Sequence, residues 1–291
     1  MRTFALIMAA CAASTLNWPA SAAAAPAPAA EQRLGRITVT SEGKGPAVVL
    51  IPGLASPVAV FDDLAARIGK DHRLIRVQVN GFAGSKAGAD STTNLLPGAV
   101  DELAGWLATN HIEKPAVIGH SMGGLMALML AMAHPAAAGR LMIVDALPFY
   151  GMLFGPTATP DAIRPVAEQM RAALVSGGAP KEAPPHMSNS ESGRAKIVAW
   201  MAASDPKVVG EALVEDATTD FRPSLPALAG MPVTVLYSVP SPDRKDLSAQ
   251  LYAGAYKALP TAKLIPVERS EHFIMLDQPA RFAEAVHDFV K

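Results

Sequence analysis

The chain has 291 residues, 50% of them apolar and 18% charged, with a formal net charge of −1. That balance speaks against a nucleic-acid-binding protein or a disordered tail and leaves a globular protein long enough to bury a sizeable core. The single cysteine, Cys11, excludes a disulfide framework.

At the N-terminus, Met1-Arg2-Thr3 carries one positive charge, residues 4–16 are mostly apolar, and Ala20-Ser21-Ala22 supplies small residues at an A-x-A site. This is the pattern of a secretory signal peptide over 1–22, and the run is short for a membrane span. Export to the periplasm or the medium is therefore expected, with an Ala/Pro-rich flexible leader over 23–33. Removing the signal also removes the only thiol. A different reading takes "MAAC" as a lipoprotein box, in which lipidation of Cys11 would anchor the chain to a membrane.

After the leader, strand and helix patterns alternate. "RITVT" and "AVVLIPG" read as strands, "VFDDLAARIG" as a helix and "HRLIRVQVNG" as a strand. "LLPGAVDELAGWLATN" is helical, and "PAVI" is a short apolar run of the kind that fills a buried strand. Residues 123–134 are rich in Leu, Met and Ala and read as a buried helix ended by Pro135; "GRLMIVDALP" is the next strand. Over 149–226 the alternation fails. Two or more helices, "DAIRPVAEQMRAALVSG" and "ESGRAKIVAWMAASD" among them, are joined there by Pro-, Gly- and Ser-rich loops. The strand "PVTVLYS", the helix "LSAQLYAGAYKAL", the strand "AKLIPV" and the amphipathic helix "PARFAEAVHDFVK" complete the chain. The expectation is an α/β protein, a mostly parallel sheet with helices on both faces, built from 34–148 and 227–291. The helical insertion 149–226 would lie as a cap over the sheet edge where ligands of open α/β sheets bind.

Between the apolar strand and the Leu/Met-rich helix stands Gly119-His120-Ser121-Met122-Gly123, which fits G-x-S-x-G. So tight a strand-to-helix turn strains its central residue and holds the Ser121 hydroxyl clear of the backbone, at the N-terminal end of a helix. That arrangement suits a nucleophile. A serine hydroxyl is scarcely ionised at neutral pH and needs a base, usually histidine. His272, in "VERSEHF" after the last strand, falls at the same sheet edge; His120 adjoins Ser121, where adjacent side chains diverge. The seven histidines show neither H-x-x-x-H nor H-E-x-x-H spacing, so no metal is expected.

The strand order, the elbow "GHSMGG", "LIPGLAS", "NGFAGS" and "SEHF" together resemble the α/β-hydrolase superfamily over nearly the whole chain after the leader. The resemblance implies a cofactor-independent serine hydrolase with Ser121 as nucleophile, His272 as base and an acid between them in the chain. Asp243, in "YSVPSPD" and 29 positions before His272, matches the usual family placement of that acid. Asp145, at the end of "LMIVDALP", is the alternative, because some members carry the acid after that earlier strand, and Asp246 is a third. The oxyanion donors would be the backbone N–H groups of Met122 and Leu54, although this chain has Pro52-Gly53 where His-Gly is more common. Phe149, Tyr150, Met152 and Phe154, at the start of the cap, are candidates for an apolar substrate pocket. A small-molecule ester, lactone or thioester is the expected substrate. A C–C bond hydrolase of the meta-cleavage type and a non-catalytic binder on the same fold are the alternatives.

Overall fold

Short β-branched runs form the centre of the molecule. A computed structural model describes residues 30–155 and 157–291. Its strands are β1 (Ala30–Arg33), β2 (Ile37–Glu42), β3 (Ala47–Ile51), β4 (Arg73–Val79), β5 (Ala116–His120), β6 (Arg140–Val144), β7 (Val233–Val239) and β8 (Lys263–Glu268). They form one sheet in the order β1-β2-β4-β3-β5-β6-β7-β8. β2 runs antiparallel to β1 and β4, and all pairings from β4 across to β8 are parallel. The expected leader therefore ends sooner than position 33: residues 30–33 pair with β2 as its outer neighbour. The expected signal peptide and Cys11 lie outside the described residues.

The helices are α1 (Asp62–Ile68), α2 (Leu95–Thr109), α3 (Met122–Ala133), α4 (Pro160–Gly177), α5 (Glu191–Ala202), α6 (Pro206–Thr218), α7 (Lys245–Ala255), α8 (Ile274–Asp277) and α9 (Pro279–Val290). Alternation within a strand sends successive side chains to opposite faces. In β3, Val49 and Ile51 join the cluster under α2, α3 and α7, while Val48 and Leu50 join the one under α1, α8 and α9. Both faces are buried, which is why β3, β5 and β6 read as unbroken apolar runs. Because β3, β5, β6, β7 and β8 are parallel, the loops after them emerge at one edge. Leu54, Ser121, Asp145, Asp243 and His272 all follow those strands.

α4, α5 and α6 stand between β6 and β7 as the helical cap, with no strand among the described residues of that stretch. α6 carries its own start signal in the sequence: the Asp205 carboxylate accepts from the backbone N–H groups of Lys207 and Val208, and Pro206 occupies the first turn. The cap is tied to the core between α5 and α6 and again near its C-terminal end. Gly84 N–H donates to Ala203 at 2.9 Å, Asp205 N–H to Gly81 at 2.7 Å and Phe221 N–H to Pro148 at 2.8 Å. The Glu215 carboxylate accepts from the first N–H groups of α2, at Leu95 and Leu96.

Inside the cap, Phe149 is fully enclosed by Ile163, Ala167, Val214 and Ala217. The Arg222 guanidinium lies 4.6 Å from its ring centroid. Such a side chain holds the cap together and offers a substrate no surface, contrary to the expectation that Phe149 lines a pocket. Phe149→Ala is expected to cost about 3–5 kcal/mol of stability through the cavity it leaves. Urea unfolding checks this, and a loss under about 1 kcal/mol would show the cap collapsing around the gap.

Candidate active site

The turn between β5 and α3 holds Ser121 at φ 54°, ψ −126°, a conformation that L-residues avoid. The strain is accommodated because glycines let the backbones approach: a Cβ on Gly119 would stand 2.0 Å from the Gly123 carbonyl oxygen. Ser121 N–H donates to Val144 at 2.9 Å, so β6 pins the turn from its other side. The hydroxyl keeps partial exposure at the head of α3.

His272 follows β8 and reaches across the sheet edge, its Nε2 2.9 Å from the Ser121 hydroxyl. Its Nδ1 lies 2.8 Å from Asp145 Oδ2. A carboxylate only accepts, so Nδ1 carries the proton and Nε2 is left to accept from the serine. The loop holding this ring is itself fastened to the cap. His272 N–H donates to His186 at 3.0 Å and Phe273 N–H to Met187 at 2.9 Å, while Asp277 accepts from the N–H groups of Glu271 and Asn189 and from the Ser188 hydroxyl.

The acid beside His272 is Asp145, the alternative in the sequence reading, and not Asp243. Asp145 follows β6, the strand next to β5, with its own backbone at φ 48°. The end of β7, where a family acid was expected nearby, supplies donors instead. Ser238 N–H donates to Asp145 Oδ1 at 2.7 Å, Ser238 Oγ to Oδ2 at 3.2 Å, and the Tyr252 hydroxyl from α7 to Oδ1 at 3.0 Å. Asp243 sits beyond them in the exposed turn Pro242–Arg244, and Asp246 is exposed at the start of α7. Burial alone would raise the Asp145 carboxyl, but the His272 imidazole, Ser238 and Tyr252 outweigh it and hold the carboxyl below its ordinary value.

Gly53 brings the loop after β3 against the elbow: a Cβ there would lie 3.0 Å from Ser121 Cβ. Leu54 thus directly follows the glycine that lies against Ser121, and Met122 directly follows Ser121 at the start of α3. Tyr150 and Phe154 form an edge-to-face pair 6.2 Å apart, 36% and 52% exposed, and Met152 packs partly buried between cap and core.

His120 has a part that sequence did not reveal. It is completely buried, its ring 4.7 Å from those of both His272 and Phe273, and its Nε2–H donates to the His272 carbonyl at 3.0 Å. Nδ1 has no partner among the described residues, so a second proton there would be unsatisfied. Burial, with the His272 imidazole beside it, pushes this imidazole from 6.5 down to about 3. The unfolded chain therefore binds more protons than the folded one between those two values, and folding stability falls as pH is lowered through that window. His120→Gln is expected to flatten this acid slope; a slope equal to the parent's in urea titrations at stepped pH would place its origin elsewhere.

The model of the Alpha/beta hydrolase family matches residues 48–285. Among curated proteins, RutD of Yersinia enterocolitica, provisionally named a carbamate hydrolase, is 34% identical over 101 residues, 35% of this chain and 36% of that protein. The chain spans well under half the length of the curated relatives it matches first. Among solved structures, the enol-lactonase from Burkholderia xenovorans is similar with a TM-score of 0.66 at 18% identity, covering 87% of this chain and 96% of that one. A thermophilic esterase from Thermogutta terrifontis gives 0.69 at 20% identity, covering 91% and 98%. At such identities the likeness is one of fold.

Proposed function

As the chain belongs to the alpha/beta hydrolase family, we propose that it is a serine hydrolase cleaving carboxylic esters, lactones and thioesters among them, that carry an apolar acyl or alcohol group. The observation that carries this reading is the unbroken hydrogen-bonded chain Ser121–His272–Asp145. Ser121 Oγ attacks the acyl carbonyl and His272 Nε2 takes its proton. Asp145 orients the imidazole and stabilises its charged form. The N–H groups of Leu54 and Met122 receive the oxyanion. His272 then protonates the departing alcohol oxygen, water enters, and the same base releases the acyl-enzyme as a free acid. The relatives named as esterase and lactonase act on bonds of this class, which supports the reading by analogy.

The test is hydrolysis of a series of esters from acetyl to octanoyl, with lactones and a ring-cleavage diketone alongside, and labelling by a fluorophosphonate. Turnover of the esters with label on Ser121 is expected; turnover of the diketone alone would turn the reading to C–C bond hydrolysis. Tyr150 and Phe154 should shape the chain-length profile. Each methylene received by an apolar pocket contributes about 0.8 kcal/mol, nearly fourfold in kcat/KM. Tyr150→Ala and Phe154→Ala are expected to flatten that slope more than they alter acetyl ester turnover. A parallel loss at all lengths would remove these residues from substrate binding.

We also propose export through residues 1–22, resting on their charge and apolar pattern. Mass spectrometry of the mature N-terminus tests it: a start at Ala23 supports cleavage, a lipidated Cys11 points to a membrane anchor, and an intact Met1 rejects both.

A further inference from the structure

Arg269 to Phe273 join β8 to α8 and carry His272 among them. Arg269 stands at φ 57°, a conformation that L-residues avoid, so the turn persists only where its surroundings hold it. The core supplies two ties: Arg269 N–H donates to Val239 and the Gln278 side-chain amide donates to the Arg269 carbonyl, each at 2.8 Å. The cap supplies a third, because Asn189 Nδ2 donates to that same carbonyl at 2.8 Å. Cap residues 186–189 hold the rest of the loop as well. The carbonyls of His186 and Met187 accept from His272 N–H and Phe273 N–H. The Asp277 carboxylate bridges the two segments: Oδ2 accepts from Glu271 N–H at 2.8 Å and from Asn189 N–H at 3.1 Å, and Oδ1 accepts from the Ser188 hydroxyl at 2.6 Å. Ser188 is buried, and Ser190 beyond it caps α5, so the bridge has a firm seat in the cap. The ion pair of His186 with Glu271 adds little beside these bonds, since the His186 side chain is 74% exposed.

We propose that Asp277 is a positioning residue for the base: its carboxylate clamps Ser188 and Asn189 of the cap to the backbone just ahead of His272, and so sets where Nε2 stands relative to Ser121. The proposal rests on the ester-hydrolase reading. Among the described residues Asp277 bonds to none of the three triad side chains and acts through the backbone alone. That backbone matters because the bond from Nδ1 to Asp145 fixes only one side of the imidazole, which can still pivot about it. The ring must meet the Ser121 proton first and the departing oxygen afterwards, and a misplacement of about 1 Å costs on the order of 10²-fold in rate. The cap thereby takes part in the chemical step itself, beyond any contact it makes with substrate.

The experiment measures kcat and KM for one butanoate ester, and the rate of fluorophosphonate labelling at Ser121, in the full chain well below each variant's melting temperature. Asp277→Ala is expected to lower kcat and the labelling rate together by about 10- to 100-fold, with KM within about twofold of the parent. Asp277→Asn should recover to within about threefold of the parent. Its oxygen can accept from Glu271 N–H and Asn189 N–H while its NH₂ donates to the Ser188 hydroxyl, which reverses its role. Ser188→Ala should lower kcat by about three- to tenfold in the parent and by much less in Asp277→Ala, because the two side chains form one clamp. A parent-like kcat in Asp277→Ala, a loss confined to KM, an asparagine variant as impaired as the alanine one, or Ser188 and Asp277 effects that multiply in full would each overturn the proposal. If Asp277→Ala does not fold, Ser188→Ala decides, and an unchanged kcat there counts against the clamp. Failure of the hydrolase reading looks different: the parent would neither cleave the ester nor take the label on Ser121.

Discussion

Ser121→Ala is expected to lower kcat for ester hydrolysis by about 10⁴-fold or more while the protein folds as before. The substitution deletes one oxygen that is partly exposed, fills no core space and leaves no donor buried. The strained backbone at φ 54° is no harder for alanine than for serine, so the elbow survives. What disappears is the atom that bonds to the acyl carbon. The Leu54 and Met122 N–H groups and the binding surface remain, and any residual rate reports their contribution alone. Circular dichroism and the melting temperature should match the parent, and the fluorophosphonate should no longer label the protein. Ester turnover within tenfold of the parent would show that another nucleophile does the chemistry.

The sheet and the elbow were legible because their physics is local. β3, β5 and β6 are buried on both faces and read as unbroken apolar runs, and the period change at Ser121 marks where strand becomes helix. His272 was legible for a topological reason: parallel strands deliver their following loops to one edge. The acid was harder, since β6 and β7 both end at that edge and each is followed by an aspartate. What decides between them is supplied from far along the chain. Ser238 and Tyr252 lie 93 and 107 positions from Asp145, and no spacing rule connects them. The same limit hid the part played by His120, a common residue beside an apolar stretch, which only the packing shows to lie beneath the His272 loop. β1 was missed because its residues Ala30-Glu31-Gln32-Arg33 lack an apolar pattern and gain their pairing from β2 alone.

The choice of acid gives the second large expected effect, and it separates two side chains that the sequence alone left open. Asp145→Asn should reduce kcat by about 10³- to 10⁴-fold, whereas Asp243→Asn should stay within about twofold of the parent. Asparagine can keep its oxygen toward Ser238 N–H and the Tyr252 hydroxyl, which holds the amide in place and turns its NH₂ toward His272 Nδ1. Two donors then face each other. The imidazole escapes by moving its proton to Nε2, where it can no longer accept from Ser121, so the base is lost although the ring has hardly moved. Asp243, exposed in its turn, touches none of these atoms. The two variants also differ in acid stability. A carboxyl held below its ordinary value stabilises the fold at pH above the unfolded value of 3.8, and that contribution is lost as pH falls through the lower folded value. Asp145→Asn should lack that part of the acid transition. Steady-state kinetics of both variants with one ester, and urea titrations from neutral pH to pH about 3, read the two effects. A large kinetic loss in Asp243→Asn with little change in Asp145→Asn would mean that the loop after β7 swings inward during turnover and that the Asp145 contact belongs to the resting enzyme only.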